Sequence, residues 1–326
     1  MYRLRSTRAL DVDAHAASLS GWEQRYDQLS AGRFCGGLTE FWTAHGQVFL
    51  EQAGRAVRQS CRVWPDALWF GIPVRHDGTR MDGRELPAGA ILVRPADAGF
   101  ELVTPDGHEI FGVVVRQQAL AAHCARLGLD IDWPRLQHAG WLQVGEAARE
   151  RAVASLRGLF MALPGQAVQA GLALHAEARR EIEETLLGLL LPFVVCAEPA
   201  PGRCAGQARR RRTVAQILDH ARGHPDWVPA VPELCERFHL CRRSLQYAFE
   251  ENLGVSPAVY LRAMRLNGAR RALREGAASV QDAAAAWGFW NLSQFSADYR
   301  HFFGERPSDT LRDAAGISLR YPRRHA

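Results

Sequence analysis

Four side chains on one helical face carry the chemistry this sequence declares most openly. In Val231–Phe249, VPELCERFHLCRRSLQYAF, Leu245 and Phe249 stand four apart and share one side of a predicted helix. The outer side of its first two turns then holds Arg242, Arg243, Gln246 and Tyr247. Arginine forks onto guanine O6 and N7, and glutamine onto adenine N6 and N7. A helix that offers such residues from its N-terminal turns suits the major groove of duplex DNA. The alternative for Arg242 and Arg243 is phosphate, which binds without reading sequence.

The same arrangement recurs in Val280–Tyr299, VQDAAAAWGFWNLSQFSADY. Gly288 supplies the turn and Phe289 an apolar anchor. Phe295, Tyr299 and Phe302 are predicted to face inward, leaving Asn291, Ser293, Gln294, Ala297 and Asp298 outside. Each copy is a short apolar helix, a tight break and a second helix, which is a helix-turn-helix. The second outer face is much less cationic, and Asp298 there would repel phosphate. Less base-reading energy is therefore expected from it than from the first.

Something must hold the two copies apart. Ser256-Pro257 reads as an N-cap followed by proline at the first helical position, and Gly276 as the stop. Val259, Ala263, Leu266, Ala269 and Leu273 mark the buried stripe of the helix between them. About 18 residues at ~1.5 Å each make a rod of roughly 27 Å. With a helix-turn-helix body at each end, that rod can set two recognition helices about one DNA turn apart, ~34 Å.

Charge placement agrees. Residues 1–206 hold 21 Arg and 23 acidic residues, a net of −2; residues 207–326 hold 19 and 12, a net of +7. A near-neutral half joined to a basic half fits a sensor fused to a DNA-binding module. The absence of Lys, which makes every basic side chain Arg, is attributed to codon bias and carries no weight here. With 326 residues, the chain has room for two domains with their own cores. The first residues, MYRLRSTRALDVDAHAA, contain no apolar signal core, and Leu186–Cys196 is too short to span a bilayer. Seven cysteines without C-x-x-C or zinc spacing read as reduced thiols of a cytoplasmic protein.

Residues 45–115 read as β-rich. Gln47–Glu51, Val57–Trp64, Leu68–Val74, Ala90–Val93, Phe100–Val103 and Glu109–Val115 are short apolar runs separated by Pro, Asp and Gly turns. The expected fold class is α+β: an N-terminal barrel-like sensor domain with trailing helices, then an all-α tandem helix-turn-helix domain. The helices are placed at 118–127, 146–163 and 171–191, where they either pack on the barrel or form a dimer interface. The expected boundaries are 1–196 for the sensor (β-rich 45–115, helical 117–196), 197–212 for a linker and 213–326 for the DNA-binding domain. Arg209–Arg212 then either touch phosphate or form a solvated run.

An enzyme built on the β-rich half is the main rival. Its His45, His76 and His108 are not paired at H-x-H spacing, so a metal site is not expected. Without Lys there is no P-loop, and G-x-S-x-G is absent. No catalytic residue, catalytic cofactor or metal is assigned.

The motifs of the second half resemble the AraC/XylS family of transcription regulators. They are GVSPAVYLRAMRLNGARRAL, Trp287-Gly288-Phe289 and Phe303-Gly304-Glu305-Arg306-Pro307-Ser308, and the likeness covers roughly 213–312. Two positions depart from the family's pattern. Cys241 stands where a Ser N-cap is usual, and Ala283 where a larger aliphatic is usual. WEQRYDQLSAGRFCGGLTE (22–40), RQSCRVWPDALWFGIP (58–73) and FELVTPDGHEIFGVVV (100–115) extend the likeness to regulators of ethanolamine-utilisation operons. That resemblance implies an activator of such an operon, responding to ethanolamine with adenosylcobalamin as co-effector. Its implied partners are operator DNA, RNA polymerase and a second copy of the chain, with no membrane. A small cation favours aromatic faces and a carboxylate, for which Trp64, Trp69, Phe70, Glu51 and Glu101 are candidates; as strand residues the Trp and Phe read first as core. No Asp-x-His-x-x-Gly cobalamin signature is present. A regulator of another amine or amino acid pathway remains the second reading.

Overall fold

The computed structural model describes residues 4–316 except 77, 97, 163–175, 197, 203 and 315. It divides into two compact units: Met1–Tyr26 with Phe34–Ala208, and Asp27–Arg33 with Arg209–Ala326.

Antiparallel strands dominate the first unit. They are β1 Leu4–Ala9, β2 Glu23–Gln28, β3 Gly36–Trp42, β4 Gly46–Ala53, β5 Val57–Arg62, β6 Ala67–Pro73, β7 Arg80–Met81, β8 Arg84–Glu85, β9 Ala90–Pro95, β10 Phe100–Thr104, β11 His108–Arg116, β12 Trp141–Gln143 and β13 Glu198–Pro199. The six runs read from sequence are all strands. The turns between them hold Gly78, Gly89 and Gly107 at φ 84°, 68° and 69°, conformations that a side chain would strain. Strand structure begins much earlier than residue 45, however. β1, LRSTRA, is a largely solvent-facing edge strand and carries no apolar alternation to betray it.

The barrel expectation is corrected. The strands form two open sheets, ordered β1-β3-β4-β11-β6-β9-β12-β13 and β2-β5-β10-β7-β8. Their ends explain why closure fails. The two-residue strands β8 and β13 terminate each ladder, and Pro199 in β13 has no N–H to extend the pairing. Between the sheets lies one core, with Phe49, Trp69, Leu92 and Ile110 from the first sheet against Val57, Phe100 and Leu102 from the second.

Helices cover the outer face of the eight-stranded sheet. These are α2 Gln117–Arg126, α3 Trp133–Ala139, α4 Glu146–Ala162 and α5 Ala176–Cys196, after a short α1 at Val12–Ala16. Leu156, Leu186, Leu190 and Phe193 pack with Phe70, Ile72, Phe111 and Val113. The apolar stripes of α4 and α5 therefore bury against the sheet. The part of the expected helix 171–191 before residue 176 lies outside the described residues. Among those described, no helix is long and apolar enough to cross a membrane.

The second unit contains α6 Ala205–Gly223 from Arg209 onward, α7 Val231–Arg237, α8 Arg242–Leu253, α9 Pro257–Arg274, α10 Val280–Ala286, α11 Leu292–Phe303 and α12 Pro307–Ala314. Helix α6 starts inside the stretch read as a linker, so Arg209–Arg212 are helical. Helix α9 opens as its sequence suggests, with the Ser256 hydroxyl accepting from the Val259 N–H at 3.4 Å. Its burial is broader than one stripe: Tyr260, Met264, Leu266, Asn267, Gly268, Arg270 and Leu273 are all buried, whereas Val259 is exposed. Gly268 is required by packing, because a Cβ there would land on the Trp287 ring.

A distant segment completes this unit. Gln28 is fully buried; its backbone N–H donates to Asn267 Oδ1 at 3.0 Å, and Asn267 Nδ2 donates to its carbonyl at 2.8 Å. Gln28 Nε2 and the Gly32 N–H both donate to the Phe302 carbonyl, at 3.0 and 2.9 Å, in the last turn of α11. Asp27 pairs with Arg271 at 2.8 Å. Helices α9 and α11 are thus tied together by residues 27–33. Asn267→Ala leaves both backbone groups of Gln28 buried without that partner, at about 1–3 kcal/mol. Amide hydrogen exchange across 257–303 in the full chain is expected to accelerate accordingly; unchanged protection would show that the tie carries no stability.

Candidate DNA-reading surface

In the first helix-turn-helix, α7 supports and α8 presents. Leu234, Leu245, Ala248, Phe249 and Leu253 are buried, which fixes the rotation of α8 and turns Arg242, Arg243 and Ser244 outward. Cys241 is the N-cap despite the missing hydroxyl: its Sγ accepts from the Ser244 N–H at 3.4 Å. Hydrogen bonds from the Ser244 side chain and backbone hold the thiol below its ordinary value. The tight turn before it places His239 at φ 51°, where the second copy has Gly288 at φ 71°.

The four sequence-predicted residues of α8 differ in freedom. Arg242 and Arg243 are exposed, and neither has a carboxylate partner among the described residues. Gln246 is half-buried, with Nε2 donating to Glu250 Oε1 at 2.6 Å, so reading adenine requires it to exchange that bond. Tyr247 is 54% exposed under the Arg210 guanidinium, whose centre lies 4.9 Å from the ring. Arg210 is itself gripped by both oxygens of Glu251, at 2.5 and 2.8 Å. Sequence reading missed Arg210, which looked like one member of a basic run.

The second copy is built alike on α10 and α11. Ser279 caps α10 through the Asp282 N–H at 3.0 Å, and Asn291 caps α11 through the Gln294 N–H at 2.9 Å. Phe295, Tyr299 and Phe303 are fully buried, and Phe302 is half-buried. Ala283 is buried too, so the smaller residue is accommodated. Asn291 spends its side-chain oxygen on the cap. Ser293 is exposed, and Gln294 donates to Asp298 at 2.7 Å. Arg262 of α9 pairs with the other Asp298 oxygen at 2.5 Å. The acidic neighbour that threatened this face is thereby neutralised. Two exposed apolar residues, Trp290 at 78% and Leu292 at 41%, flank the cap and had no place in the sequence reading.

The candidate effector residues are not gathered at one place. Glu51 and Trp69 belong to the space between the sheets. Glu51 accepts from the Tyr26 hydroxyl at 2.8 Å and meets His15 Nε2 at 3.0 Å. Trp69 stacks on Phe100 with centroids 4.8 Å apart and takes the edge of Trp22 at 5.8 Å. Its indole nitrogen has no hydrogen-bond partner among the described residues. Trp64 is half-buried, donating to Gln47 at 3.3 Å beneath Arg116. Phe70, one residue from Trp69, faces the helices instead, as strand alternation requires. Glu101 lies opposite Phe100 on its strand and pairs with Arg58.

Burial alone would raise the Glu51 carboxyl, but the hydrogen bond and charge of His15, with the Tyr26 hydroxyl, hold it below the usual carboxylate range. Burial, then Glu51, pushes the Tyr26 hydroxyl well above its ordinary value. A carboxyl held low stabilises the fold above its unfolded value near pH ~4.3, and that contribution is lost as pH falls through the folded value.

The stretch that matches a known family lies in the second unit. Residues 234–313 match the helix-turn-helix domain family. The XylDLEGF operon transcriptional activator of Pseudomonas putida is 37% identical over 86 residues, covering 26% of this chain and 27% of that protein. The HTH-type transcriptional activator RhaS of Klebsiella pneumoniae (strain 342) is 33% identical over 135 residues, covering 41% and 46%. The chain thus spans between about a quarter and a half of the length of these curated relatives. Among solved structures, the AraC-like transcriptional activator CuxR is 16% identical, covering 80% of this chain and 94% of that one, with a TM-score of 0.41. A probable AraC family regulator from Rhodopseudomonas palustris is 34% identical, covering 32% and 97%, with a TM-score of 0.28. The C-terminal module is a DNA-binding domain of the tandem helix-turn-helix class. Over that part it is similar to the transcriptional activators named above.

Three outcomes are expected. His239→Gly relieves a left-handed side-chain residue and raises the stability of the second unit by about 1 kcal/mol, read by urea unfolding. Leu245→Ala lowers it by about 2–5 kcal/mol. In acid titration of folding, Glu51→Gln flattens the limb below pH ~4.3; an unaltered limb would mean that Glu51 does not govern it.

Proposed function

We propose that this chain is a sequence-specific transcription regulator of the AraC/XylS type, acting as an activator in the cytoplasm. One observation carries the reading. Arg242 and Arg243 stand exposed and uncompensated on the first turn of a helix whose opposite face, Leu245 and Phe249, is completely buried. A structural helix would not need two adjacent arginines there; a helix entering the major groove would. The +7 balance of residues 207–326 adds the long-range attraction to phosphate that steers such a module to DNA.

The first unit is proposed to sense a small molecule. Ethanolamine is the effector we favour, on the likeness carried by segments 22–40, 58–73 and 100–115. The chemistry between the sheets suits a small ammonium ion: the Glu51 carboxyl is held below the usual carboxylate range there, and Trp22, Trp69 and Phe100 bring aromatic rings into the same core. Adenosylcobalamin as co-effector rests on that likeness alone, with no binding signature in the sequence. An activator of this kind also meets RNA polymerase at the promoter, and a second copy of itself is the proposed oligomer.

Arg243→Ala is expected to weaken binding to a selected operator by ~1–3 kcal/mol without altering thermal unfolding. Unchanged footprints would displace the reading face. Calorimetric titration of the full chain with ethanolamine, with and without adenosylcobalamin, tests the effector. Heat is expected with ethanolamine. None in either titration would remove that assignment and leave a regulator answering to another amine or amino acid.

A further inference from the structure

The two helix-turn-helix copies present different chemistry to DNA. On α8 the exposed first turn is Arg242, Arg243 and Ser244. On α11 the corresponding turn is Leu292, Ser293 and Gln294, with Trp290 exposed just before the Asn291 cap. The longer polar side chains there are each tied up at one end. The Asn291 oxygen holds the Gln294 N–H, the Gln294 amide holds Asp298, and Asp298 is held by Arg262. Beside these partly engaged groups, the largest exposed side chains at this end are apolar, Trp290 and Leu292.

An indole left 78% exposed beside a half-exposed leucine is unusual on a soluble protein surface and marks a contact surface. Its place decides what covers it. Both residues sit at the N-terminal end of the helix that a helix-turn-helix inserts into the major groove. The only apolar group on a base edge in that groove is the thymine C5-methyl. The Arg262–Asp298 pair removes the net negative charge that would otherwise keep phosphate away from this end.

We propose that the second copy reads thymine through these methyl groups, with Trp290 and Leu292 as its specificity-determining residues. The first copy reads guanine or adenine by hydrogen bonds; the second recognises one or two thymines by apolar contact. The operator is then chemically asymmetric, with a polar half-site and a methyl-bearing half-site about one helical turn apart. This rests on the DNA-binding reading above and deepens it.

Thymine-to-uracil substitution removes only the methyl group and tests the proposal directly. An operator is selected in vitro from random duplexes with the full-length protein, and each thymine is then replaced singly by uracil. One or two positions in the half-site away from the Arg243 footprint are expected to weaken binding about threefold to fourfold each, the worth of one buried methyl-sized group. Trp290→Ala and Leu292→Ala should bind the thymine operator more weakly and be indifferent to uracil at those positions. Leu292→Met, which keeps an apolar contact, should retain the sensitivity, and Arg243→Ala should retain it in full. Equal uracil effects in wild type and both alanine variants would overturn the proposal, as would indifference of the wild type to every substitution. Circular dichroism of the variants separates lost contact from lost fold. Failure to select any preferred duplex would instead sink the DNA-reading function itself, and this inference with it.

Discussion

One helix sets the geometry on which everything in the second unit depends. Pro257–Arg274 is buried on most of its circumference, so it cannot rotate or slide without breaking contacts on several sides. Phe249 of the first copy packs against Tyr260, and Trp287 of the second closes over Gly268. Each recognition helix is therefore referenced to the same rod. A single chain can address two successive major grooves only if that rod is rigid and of fixed length, since a 1.5 Å step in helix length also turns the far end by about 100°.

The rod does not stand alone. Asn267, in its middle, is satisfied by Gln28, which lies 239 residues earlier, and Gln28 also reaches the end of the second recognition helix. Buried polar groups held this way are costly to leave unpaired, so the pairing selects one arrangement of α9 and α11 over near alternatives. In sequence, residues 27–33 follow Tyr26 and precede Phe34, whose rings both lie beside His15 in the first unit's core, at 5.9 and 5.4 Å. Glu51 joins His15 and Tyr26 there. The ring residues Tyr26 and Phe34 thus bracket, in sequence, the segment that ties the recognition helices.

Much of this was legible in the sequence where signals are local. Turn glycines and apolar runs located six strands, and the four-residue spacing of Leu245 and Phe249 fixed which face of α8 points outward. Cys241 looked like a damaged cap yet caps, because a thiol can accept a hydrogen bond in the same geometry. What escaped was non-local. The edge strands β1 and β2, LRSTRA and EQRYDQ, are largely polar and carry no apolar alternation. DQLSAGR gives no sign that it belongs to a unit two hundred residues later. Asp298 looked repulsive until Arg262, on another helix, was found beside it. The open sheets were misread as a barrel because strand propensity says nothing about whether edges meet. Trp290 and Leu292 were passed over because apolar residues default to core until a structure exposes them.

If one chain reads two successive major grooves on one DNA face through chemically different helices, its footprint has two parts of different chemistry. Methylation interference and hydroxyl-radical footprinting of a selected operator, bound by the full-length protein under single-site conditions, test it most directly. Two protected tracts are expected on the same face, their centres about one turn, ~34 Å, apart. Guanine N7 methylation should block binding in the tract lost with Arg243→Ala and not in the other. One tract alone, or two tracts equally sensitive to guanine methylation, would contradict it.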